Sequence, residues 1–375
     1  MSITSNDCWA ANGLALSLEQ GENDGGEPQL GASELLEELW YPDQGESRLR
    51  RAALAPLDAA ALLFRAGVAC RNGAYSFGWL KPVRIDGASV ISVGNLNVGG
   101  AGKTPAVIYL AGLCAAKGRR VAILSRGYGR ARHGALLVTG TESSPEASGD
   151  EPLLIARRCD TAVVLVGEDR VELARRARRD YGSNLIILDD GMQYRRLHKD
   201  LEIVVVDESV GFGNGRLLPR GPLREPAASL ARAHLVWIRA GSGSAFDPQG
   251  RPAVRAQYAP SAALSPSGDR QPPTVIRNRR TYAFAGIARP RGFVRTLQQL
   301  FANLVGTRFF PDHHLFTKAE LDELLRDSKA ANAEMLITTE KDRVRLPPDF
   351  PAWTLRLDVE ILEGGAALSQ RLAVL

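Results

Sequence analysis

A glycine-rich loop that ends in Lys103 and Thr104 is the feature that most constrains this chain. An apolar run at 89–93 precedes the loop, and a helix-forming run starting at Ala106 follows it. A strand, a glycine-rich turn and a helix start in this order place backbone N–H groups around a polyphosphate. The lysine then reaches the outer phosphates, and the threonine hydroxyl binds Mg²⁺. The predicted nucleotide-binding residues are Asn97, Gly99, Gly100, Ala101, Gly102, Lys103 and Thr104.

The loop departs from the common phosphate-binding pattern at one position, where Asn97 replaces the first glycine. A glycine-rich turn without a nucleotide is the simpler alternative. It does not account for a Lys-Thr pair at a helix start directly after a buried strand. The sequence therefore favours a nucleotide site.

Short apolar runs alternate with helical segments over most of the chain. Strands are predicted at 89–94, 120–125, 162–167, 185–190 and 201–207, with helices at 103–117, 150–159 and 168–180. Near-continuous apolar strands are typical of a parallel sheet covered on both faces. A second series predicts strands at 234–238, 281–286, 307–310, 335–339 and 354–361 and helices near 290–303 and 317–329. We predict an α/β fold, with a P-loop doubly wound, mostly parallel sheet and a second, smaller α/β domain.

Changes in composition divide the chain into four parts. Residues 1–45 contain nine acidic residues and no Lys or Arg, and are predicted to be a mobile extension. A P-loop domain is predicted at 46–210, a linker rich in Gly and Pro at 211–227, and a C-terminal lid domain at 228–375. Within the last part, the Gly, Ser, Pro and Ala content of 241–273 predicts a poorly ordered surface insertion.

The net charge of the whole chain is +5, and the part that follows the acidic extension carries +14. A basic surface suits a phosphorylated substrate, an anionic membrane or a nucleic acid, although solubility alone also explains it. Aromatic residues make up only 6% and are not interleaved with the arginines, so we expect no nucleic acid partner. No obligate protein partner is evident, and no apolar run is long enough to predict a transmembrane helix.

Several acidic and histidine side chains are candidates for chemistry. Asp189 and Asp190 end a predicted strand, where a carboxylate beside a P-loop would serve Mg²⁺; a polar turn is the alternative. Asp150 precedes an apolar helix, either as an N-cap or as a catalytic carboxylate. His313 is an attractive acid–base group, and the residues alone leave its function open.

Together these motifs resemble the tetraacyldisaccharide 4'-kinase family of lipid A biosynthesis. The stretches that carry the resemblance occur in family order between about 46 and 360: Val93-Gly94-Asn95, Gly99-Gly100-Ala101-Gly102-Lys103-Thr104-Pro105, Ser125-Arg126-Gly127-Tyr128, Gly149-Asp150-Glu151-Pro152, Asp189-Asp190-Gly191-Met192-Gln193-Tyr194-Arg195-Arg196, Asn214-Gly215-Arg216, Gly221-Pro222-Leu223-Arg224-Glu225, Asp312-His313 and Thr338-Thr339-Glu340-Lys341-Asp342.

The resemblance implies transfer of the γ-phosphoryl group of ATP to the 4'-hydroxyl of a lipid A disaccharide 1-phosphate. It implies that Asp150 and His313 form the catalytic dyad and that Thr104, Asp189 and Asp190 serve Mg²⁺. The sugar head group would contact Arg126, Tyr128, Gln193, Tyr194 and Arg216. A peripheral or monotopic position on the cytoplasmic face of the bacterial inner membrane is also implied, with an N-terminal helix at about 54–72 on the anionic surface.

This chain has Met192 and Tyr194 where the family commonly has Phe and His, although a tyrosine still hydrogen-bonds a sugar. The main rival class is a P-loop partitioning or switch-type ATPase. Those proteins place a lysine just before the double glycine, whereas this chain has Val98. That difference favours the kinase.

Overall fold

A computed structural model describes residues 38–42, 53–131, 134–241, 243 and 245–375. Its helices are α1 Ala55–Ser76, α2 Lys103–Ala116, α3 Pro145–Ser148, α4 Asp150–Arg158, α5 Arg170–Tyr181, α6 Pro290–Gln299, α7 Lys318–Ala330, α8 Glu340–Arg343 and α9 Gly365–Ala373. Short 3₁₀ helices span Ala227–Arg232 and Pro273–Ile276. Among the described residues, no helix combines the length and the apolar character needed to cross a membrane.

The strands form one large sheet. They are β1 Ser89–Gly94, β2 Val121–Ser125, β3 Leu136–Val138, β4 Val163–Val166, β5 Leu185–Asp189, β6 Leu201–Asp207, β7 Leu235–Arg239, β8 Ala253–Leu264, β9 Arg270–Gln271, β10 Arg280–Ala285, β11 Asn303–Phe309, β12 Met335–Thr339 and β13 Trp353–Glu363. The order across the sheet is β11-β10-β12-β13-β8-β7-β6-β1-β5-β2-β4-β3, with β9 paired to β8.

Apolar side chains cover both faces of the strands around β1, as the near-continuous apolar runs predicted. Ile91 and Ile187 point to one face, where they join a core formed with α2 and α4. Val90 and Ile186 point to the other face and pack with α5. Alternate residues of each strand thus serve opposite cores. The strands from β8 through β7, β6, β1, β5 and β2 to β4 all pair in parallel. At the ends of this series, β8 pairs antiparallel with β13 and β9, and β4 pairs antiparallel with β3. The expected mostly parallel, doubly wound P-loop sheet is confirmed.

The C-terminal α/β unit is built on β10, β11, β12 and β13. Phe293 and Leu297 of α6 pack on one face of these strands. Leu321 and Leu324 of α7 pack on the other. This unit is smaller than the P-loop part and joins it edge to edge, because β13 pairs with β8 while β8 pairs with β7.

The segment at 211–227 belongs to the connection between two neighbouring strands of the P-loop sheet. β6 precedes it, and β7 follows it and pairs parallel with β6. Its backbone also meets the nucleotide loop: the N–H of Val98 donates to the carbonyl of Pro222 at 2.7 Å. The segment therefore braces the loop, while the predicted domain boundaries themselves stay a prediction.

The prediction of a poorly ordered insertion within 241–273 is wrong for 253–264, because these residues form β8. Small residues and Pro260 weaken the strand signal of this stretch. Pro260 lies opposite Leu357, next to a register shift in the β8–β13 ladder. Proline is tolerated at such an irregularity because it has no N–H to donate to the ladder. Two partner strands, rather than local propensity, hold this segment extended.

Most of the predicted N-terminal extension lies outside the described residues, but 38–42 rests on the body of the protein. Leu39 is buried. Trp40 donates its indole N–H to the carbonyl of Pro219 at 3.1 Å. Asn214 donates its backbone N–H to the carbonyl of Trp40 at 2.8 Å. The guanidinium of Arg289 lies 5.1 Å from the ring centre of Tyr41. This short segment thereby touches both the 211–227 segment and the C-terminal unit.

Candidate active site

The nucleotide loop connects β1 to the start of α2. Gly102 occupies the N-cap position with φ 87°, and Gly99 has φ 98°, both in the left-handed region that favours glycine. A Cβ on Gly102 would lie 2.6 Å from the ring of Tyr258. Gly102 has no capping side chain, so the first N–H groups of α2 remain available to an anion. Thr104 follows in the first turn of α2 and is half-buried.

Asn97 anchors the loop through its side chain. Its Nδ2 donates to the carbonyl of Gly211 at 2.9 Å. Its backbone forms an antiparallel bridge with Leu223. The residue that replaces the first glycine of the common pattern thus ties the nucleotide loop to the 211–227 segment.

Lys103 and Arg224 converge on Asp190. The Nζ of Lys103 lies 3.4 Å from Asp190 Oδ1 and donates to Asn95 Oδ1 at 3.2 Å. Arg224 donates to both Asp190 oxygens, each at 2.8 Å, in a bidentate pair. Burial alone would raise the pKa of Asp190, but Lys103 and Arg224 outweigh it and lower that pKa well below its usual range. Asp190 therefore acts as an anchor for two cations.

Asp189 has the opposite surroundings, although it is the next residue. It is buried, and Ser125 Oγ donates to its Oδ2 at 3.0 Å. Its Oδ1 is buried without a hydrogen-bond partner among the described residues. Burial and the charge of Glu151 raise the pKa of Asp189 to about 7, against the opposing effect of Lys103. A buried carboxylate oxygen of this kind is suited to coordinate Mg²⁺, or to accept hydrogen bonds from the waters that Mg²⁺ binds.

Asp150 and His313 meet across the molecule. The Asp150 Oδ2 to His313 Nδ1 distance is 3.0 Å, although the two residues are 163 positions apart. Asp150 is the first residue of α4, and Gly149 fills the N-cap position, so the N-cap interpretation of Asp150 is wrong. His313 has φ 62° in the loop before α7. A strained backbone position at a contact between two units is typical of a functional site.

Two cations from the C-terminal unit surround this pair. Lys341 Nζ lies 3.2 Å from His313 Nε2. Arg345 Nε lies 3.5 Å from Asp150 Oδ2. Arg345 is fully buried and also donates to Asp342 Oδ1 at 2.5 Å. The Asp150–His313 pair is therefore enclosed by charged groups on both sides.

The residues predicted to contact the sugar are distributed around these two centres. Tyr128 is exposed, and its ring centre lies 5.9 Å from that of His313. A Cβ on Gly149 would lie 3.1 Å from the Tyr128 carbonyl, so glycine permits this approach. Arg126 is exposed at the end of β2. Gln193 donates its Nε2 to the Asn95 carbonyl at 3.0 Å and leaves a buried Oε1 unpartnered among the described residues.

The other two predicted sugar contacts have protein partners. Tyr194 donates its hydroxyl to Asp169 Oδ1 at 3.1 Å, and the Arg170 guanidinium lies 4.1 Å from its ring centre. Arg216 pairs with Asp58 in the first turn of α1. Tyr194 is thus joined to the start of α5, and Arg216 connects the 211–227 segment to the N-terminal helix.

The sequence pattern assigned no individual role to Asn95, Arg224, Lys341 and Arg345. Asn95, Arg224 and Lys341 lie within motifs that carry the family resemblance. Arg345 follows the last of these motifs by three positions. Arg224 meets Asp190 across 34 positions, Lys341 meets His313 across 28, and Arg345 meets Asp150 of another element, so most of these contacts join separate elements. Spacing along the chain therefore carried no signal for them.

Comparison with known proteins identifies the family. A family profile described as Tetraacyldisaccharide-1-P 4'-kinase matches residues 51–374. A tetraacyldisaccharide 4'-kinase of Anaeromyxobacter dehalogenans strain 2CP-C is 44% identical over 362 residues, covering 90% of this chain and 94% of the relative. The chain belongs to the tetraacyldisaccharide-1-phosphate 4'-kinase family. It is accordingly a lipid A 4'-kinase, a phosphotransferase, and the partitioning ATPase alternative is not favoured.

Two further relatives of this kinase family extend the comparison. The tetraacyldisaccharide 4'-kinase of Syntrophus aciditrophicus is 39% identical over 86% of this chain and 93% of its own length. A crystal structure of LpxK from Aquifex aeolicus in complex with ATP has a TM-score of 0.72 and 32% identity, and covers 86% of this chain and 98% of its own. The kinase fold with its P-loop sheet is thus shared with a protein that binds ATP.

Proposed function

We propose that the P-loop site and the Asp150–His313 pair together transfer the γ-phosphoryl group of ATP to the 4'-hydroxyl of a tetraacylated glucosamine disaccharide 1-phosphate. The observation that carries this assignment of roles is the 3.0 Å contact between Asp150 Oδ2 and His313 Nδ1. Phosphoryl transfer needs positioning and charge neutralisation, and a carboxylate–histidine pair adds a base for the leaving hydroxyl proton.

The two centres are linked electrostatically through Asp189. Glu151 follows Asp150 in α4 and raises the pKa of Asp189, while Lys103 lowers it. The start of α4 and the nucleotide loop therefore affect the same buried carboxylate. An acceptor hydroxyl at Asp150 would lie on the side of the loop where Lys103 binds the outer phosphates.

Thr104 and Asp189 would hold Mg²⁺, directly or through water. The ion would supply positive charge to the β- and γ-phosphate oxygens. Asp190 would act indirectly. Both of its oxygens accept hydrogen bonds or ion pairs from cations, so it would orient Lys103 and Arg224 toward the phosphates. The backbone N–H groups of Gly99, Gly100, Ala101 and Gly102 would bind the phosphates. Asn97 would hold the loop in shape.

Around the acceptor, Tyr128 would pack on the sugar beside His313. The unpartnered Oε1 of Gln193 would accept a hydroxyl hydrogen bond. Arg126 would bind anionic groups of the substrate. Tyr194 already bonds to Asp169, and Arg216 already pairs with Asp58. Each side chain would have to contact the sugar in addition to its protein partner.

An exposed apolar surface favours attachment to the cytoplasmic face of the inner membrane. Leu63 of α1 is 77% exposed, and Phe77 and Trp79 after its end are 77% and 81% exposed. Val68 is the buried residue of α1. Arg65 and Lys81 flank this surface, and basic residues around exposed apolar groups are typical of peripheral binding to an anionic membrane.

The C-terminal unit would act as a lid, since it brings His313, Lys341 and Arg345 to a carboxylate of the P-loop part. Closing such a lid would exclude water from the phosphoryl group. Substrate binding would then be expected to protect the contact region from hydrogen exchange.

The test is a transfer assay. Purified protein is incubated with γ-labelled ATP, Mg²⁺ and the disaccharide 1-phosphate in detergent, and label in the lipid is measured. We expect transfer with the unchanged protein and a decrease of about 10²–10⁴-fold in Asp150→Ala and His313→Ala. The double variant should lose little more than either single one, because both residues act in one step.

Asp160→Ala is the matched control, because Asp160 is exposed just after the end of α4. Its activity should equal that of the unchanged protein. Absence of label in the lipid with the unchanged protein would contradict the transfer reaction. Near-normal turnover in both dyad variants would contradict the dyad and leave the reaction intact.

A further inference from the structure

A buried lysine outside the two centres contacts the turn that follows β5. Lys199 precedes β6, and its ammonium group donates to the carbonyls of Gly191 at 2.6 Å and Met192 at 3.0 Å. It also donates to Glu202 Oε2 at 2.6 Å. An ammonium group has three donors, so all of them are used. Two of the three bonds go to consecutive carbonyls of the turn that begins with Asp190.

The charges of Lys199 and Glu202 are unusual for such a buried position. Their side chains are only 9% and 7% exposed. Lysine is rarely buried, and replacing a buried ion pair by apolar residues often leaves stability unchanged or raises it. Stability of the fold alone therefore does not account for this pair. The ammonium group supplies what an apolar side chain lacks, which is donors for two carbonyls. Glu202 lies opposite Ser92 in the β6–β1 ladder, so the sheet fixes the position of the ammonium group.

The backbone of the turn at 190–194 is tightly constrained. Asp190 has φ 54°, in the left-handed region that residues with a side chain rarely occupy. Gly191 donates its N–H to the carbonyl of Val93 at 3.1 Å, and a Cβ on Gly191 would lie 2.4 Å from Ser92 Oγ. The turn thus folds back onto the end of β1. A rare backbone conformation persists only where its surroundings fix it, and Lys199 does so from the side of β6.

We propose that Lys199 is a positioning residue for ATP binding. It fixes the turn at 190–194 in the conformation that presents the Asp190 carboxylate to two cations. Lys103 Nζ lies 3.4 Å from Asp190 Oδ1, and Arg224 donates to both carboxylate oxygens at 2.8 Å. This inference deepens the proposed function, because it rests on the role proposed there for Asp190 in orienting these cations.

A second side chain of the same turn reaches the surroundings of Lys103. Gln193 donates its Nε2 to the Asn95 carbonyl at 3.0 Å, and Asn95 Oδ1 accepts from Lys103 at 3.2 Å. Lys103 is therefore linked to the turn twice, directly through Asp190 and indirectly through Asn95. A displaced turn would disturb both links at once.

The first experiment measures the turn without any ligand or reaction, by hydrogen exchange of the full-length protein. Lys199→Met/Glu202→Met removes both charges of the pair, so neither is left buried alone. We expect faster exchange in a peptide that covers 190–194, where the Gly191 and Tyr194 N–H groups are bonded, and unchanged exchange in β4. Lys199→Met/Glu202→Gln needs less repacking and should show the same change. Unchanged exchange at 190–194 would overturn the proposal, whatever the kinase activity.

The second experiment measures the Kd for ATP by calorimetry in the presence of Mg²⁺. In Lys199→Met/Glu202→Met we expect the Kd to rise on the order of tenfold. Asp190→Asn alone should also raise it. Adding Asp190→Asn to the Lys199 variant should raise it little further, because the lysine acts through that carboxylate. Effects that simply add, or an unchanged Kd in the Lys199 variant, would overturn the positioning role.

Lys199→Arg keeps the charge and the donors, and should restore most of the ATP affinity and the slow exchange. Arg280→Met is the matched control, because Arg280 of β10 also donates to two consecutive carbonyls, those of Ala331 and Asn332 at 2.7 and 2.8 Å. It should leave the Kd and the exchange at 190–194 unchanged, and an equal loss there would overturn the proposal. A protein that shows the expected exchange and ATP binding but transfers no phosphate would instead contradict the proposed function.

Discussion

The nucleotide loop and the Asp150–His313 pair are assembled in different ways. The loop takes its chemistry from consecutive residues at 97–104, which end in the first turn of α2, and its shape follows from left-handed glycines and a helix start. The pair joins residues 163 positions apart and depends on Lys341 and Arg345 from a third segment. Function is therefore concentrated in the loop, whereas around the pair it is shared among supporting residues.

The strongest test of this difference is Lys103→Met. The loop has one cation aimed at the outer phosphates, so we expect phosphoryl transfer to fall by about 10³–10⁵-fold, roughly 4–7 kcal/mol in the barrier. The measurement is the steady-state rate at saturating ATP. Lys117→Met is the control, because Lys117 is exposed at the other end of α2. A loss no larger than that of the control would show that the loop shares its charge with other groups.

Arg345→Met tests the shared support of the second region. Arg345 and Asp342 form a fully buried pair with an Nη2–Oδ1 distance of 2.5 Å. Removing one partner of a buried pair costs roughly 3–5 kcal/mol of unfolding free energy. Urea unfolding measures this cost, with exposed Arg326→Met as control. A normal stability combined with a lost rate would mean that Arg345 serves the chemistry alone.

The pH dependence of that variant has a defined sign. Burial raises the pKa of Asp342, although Arg345 opposes this effect. Without Arg345 the folded-state pKa rises further above the unfolded value. A raised carboxyl pKa gives stability that is present at low pH and lost as the pH rises. The destabilisation of Arg345→Met should therefore be larger at pH 8 than at pH 5.

The adjacent carboxylates of the loop region should respond differently to substitution. Asp189→Asn removes the carboxylate charge at an unpartnered oxygen, so the Mg²⁺ concentration for half-maximal rate should rise on the order of tenfold to a hundredfold. Asp190→Asn frees Lys103 and Arg224 and should mainly raise KM for ATP. Titrating Mg²⁺ and ATP separately distinguishes the two effects. Equal responses would contradict the division of roles.

The smallest expected effect concerns the helix that follows His313. Glu320 closes a capping box with Thr317 at the start of α7. Its bonds from the Thr317 backbone, His314 and the Thr317 hydroxyl lower the pKa of Glu320 to about 2. A lowered carboxyl pKa gives stability that is lost as the pH falls from about 4.5 to about 2.

Glu320→Gln should accordingly shift the urea midpoint slightly at pH 7 and less at pH 3. Asp322→Asn is the control, because Asp322 is exposed in the same helix two residues after Glu320. A shift that is larger at pH 3 than at pH 7 would contradict the assignment of the low pKa to the capping interactions.

The sequence predicted what depends on neighbouring residues. Strands β1, β2, β4, β5 and β6 lie within a residue or so of their predicted positions, because apolar strands flanked by polar turns leave a local pattern. The strand at 253–264 was missed because its extended form depends on β7 and β13. The different surroundings of Asp189 and Asp190 were equally invisible, since Ser125, Glu151 and Arg224 reach them from other elements.

The long pairing of β8 with β13 has a mechanical consequence. One end of β8 also pairs with β7, and the start of β13 also pairs with β12. Among the residues that the structure describes, no third strand lies beside the middle of the β8–β13 ribbon. Tyr258 in this ribbon donates its hydroxyl to the Gly102 carbonyl at 2.6 Å, and Asp358 pairs with Arg158 of α4. Any closure between the two units would have to bend this two-stranded ribbon. The bending would then displace the two structures that the ribbon contacts, the nucleotide loop and the helix that begins with Asp150.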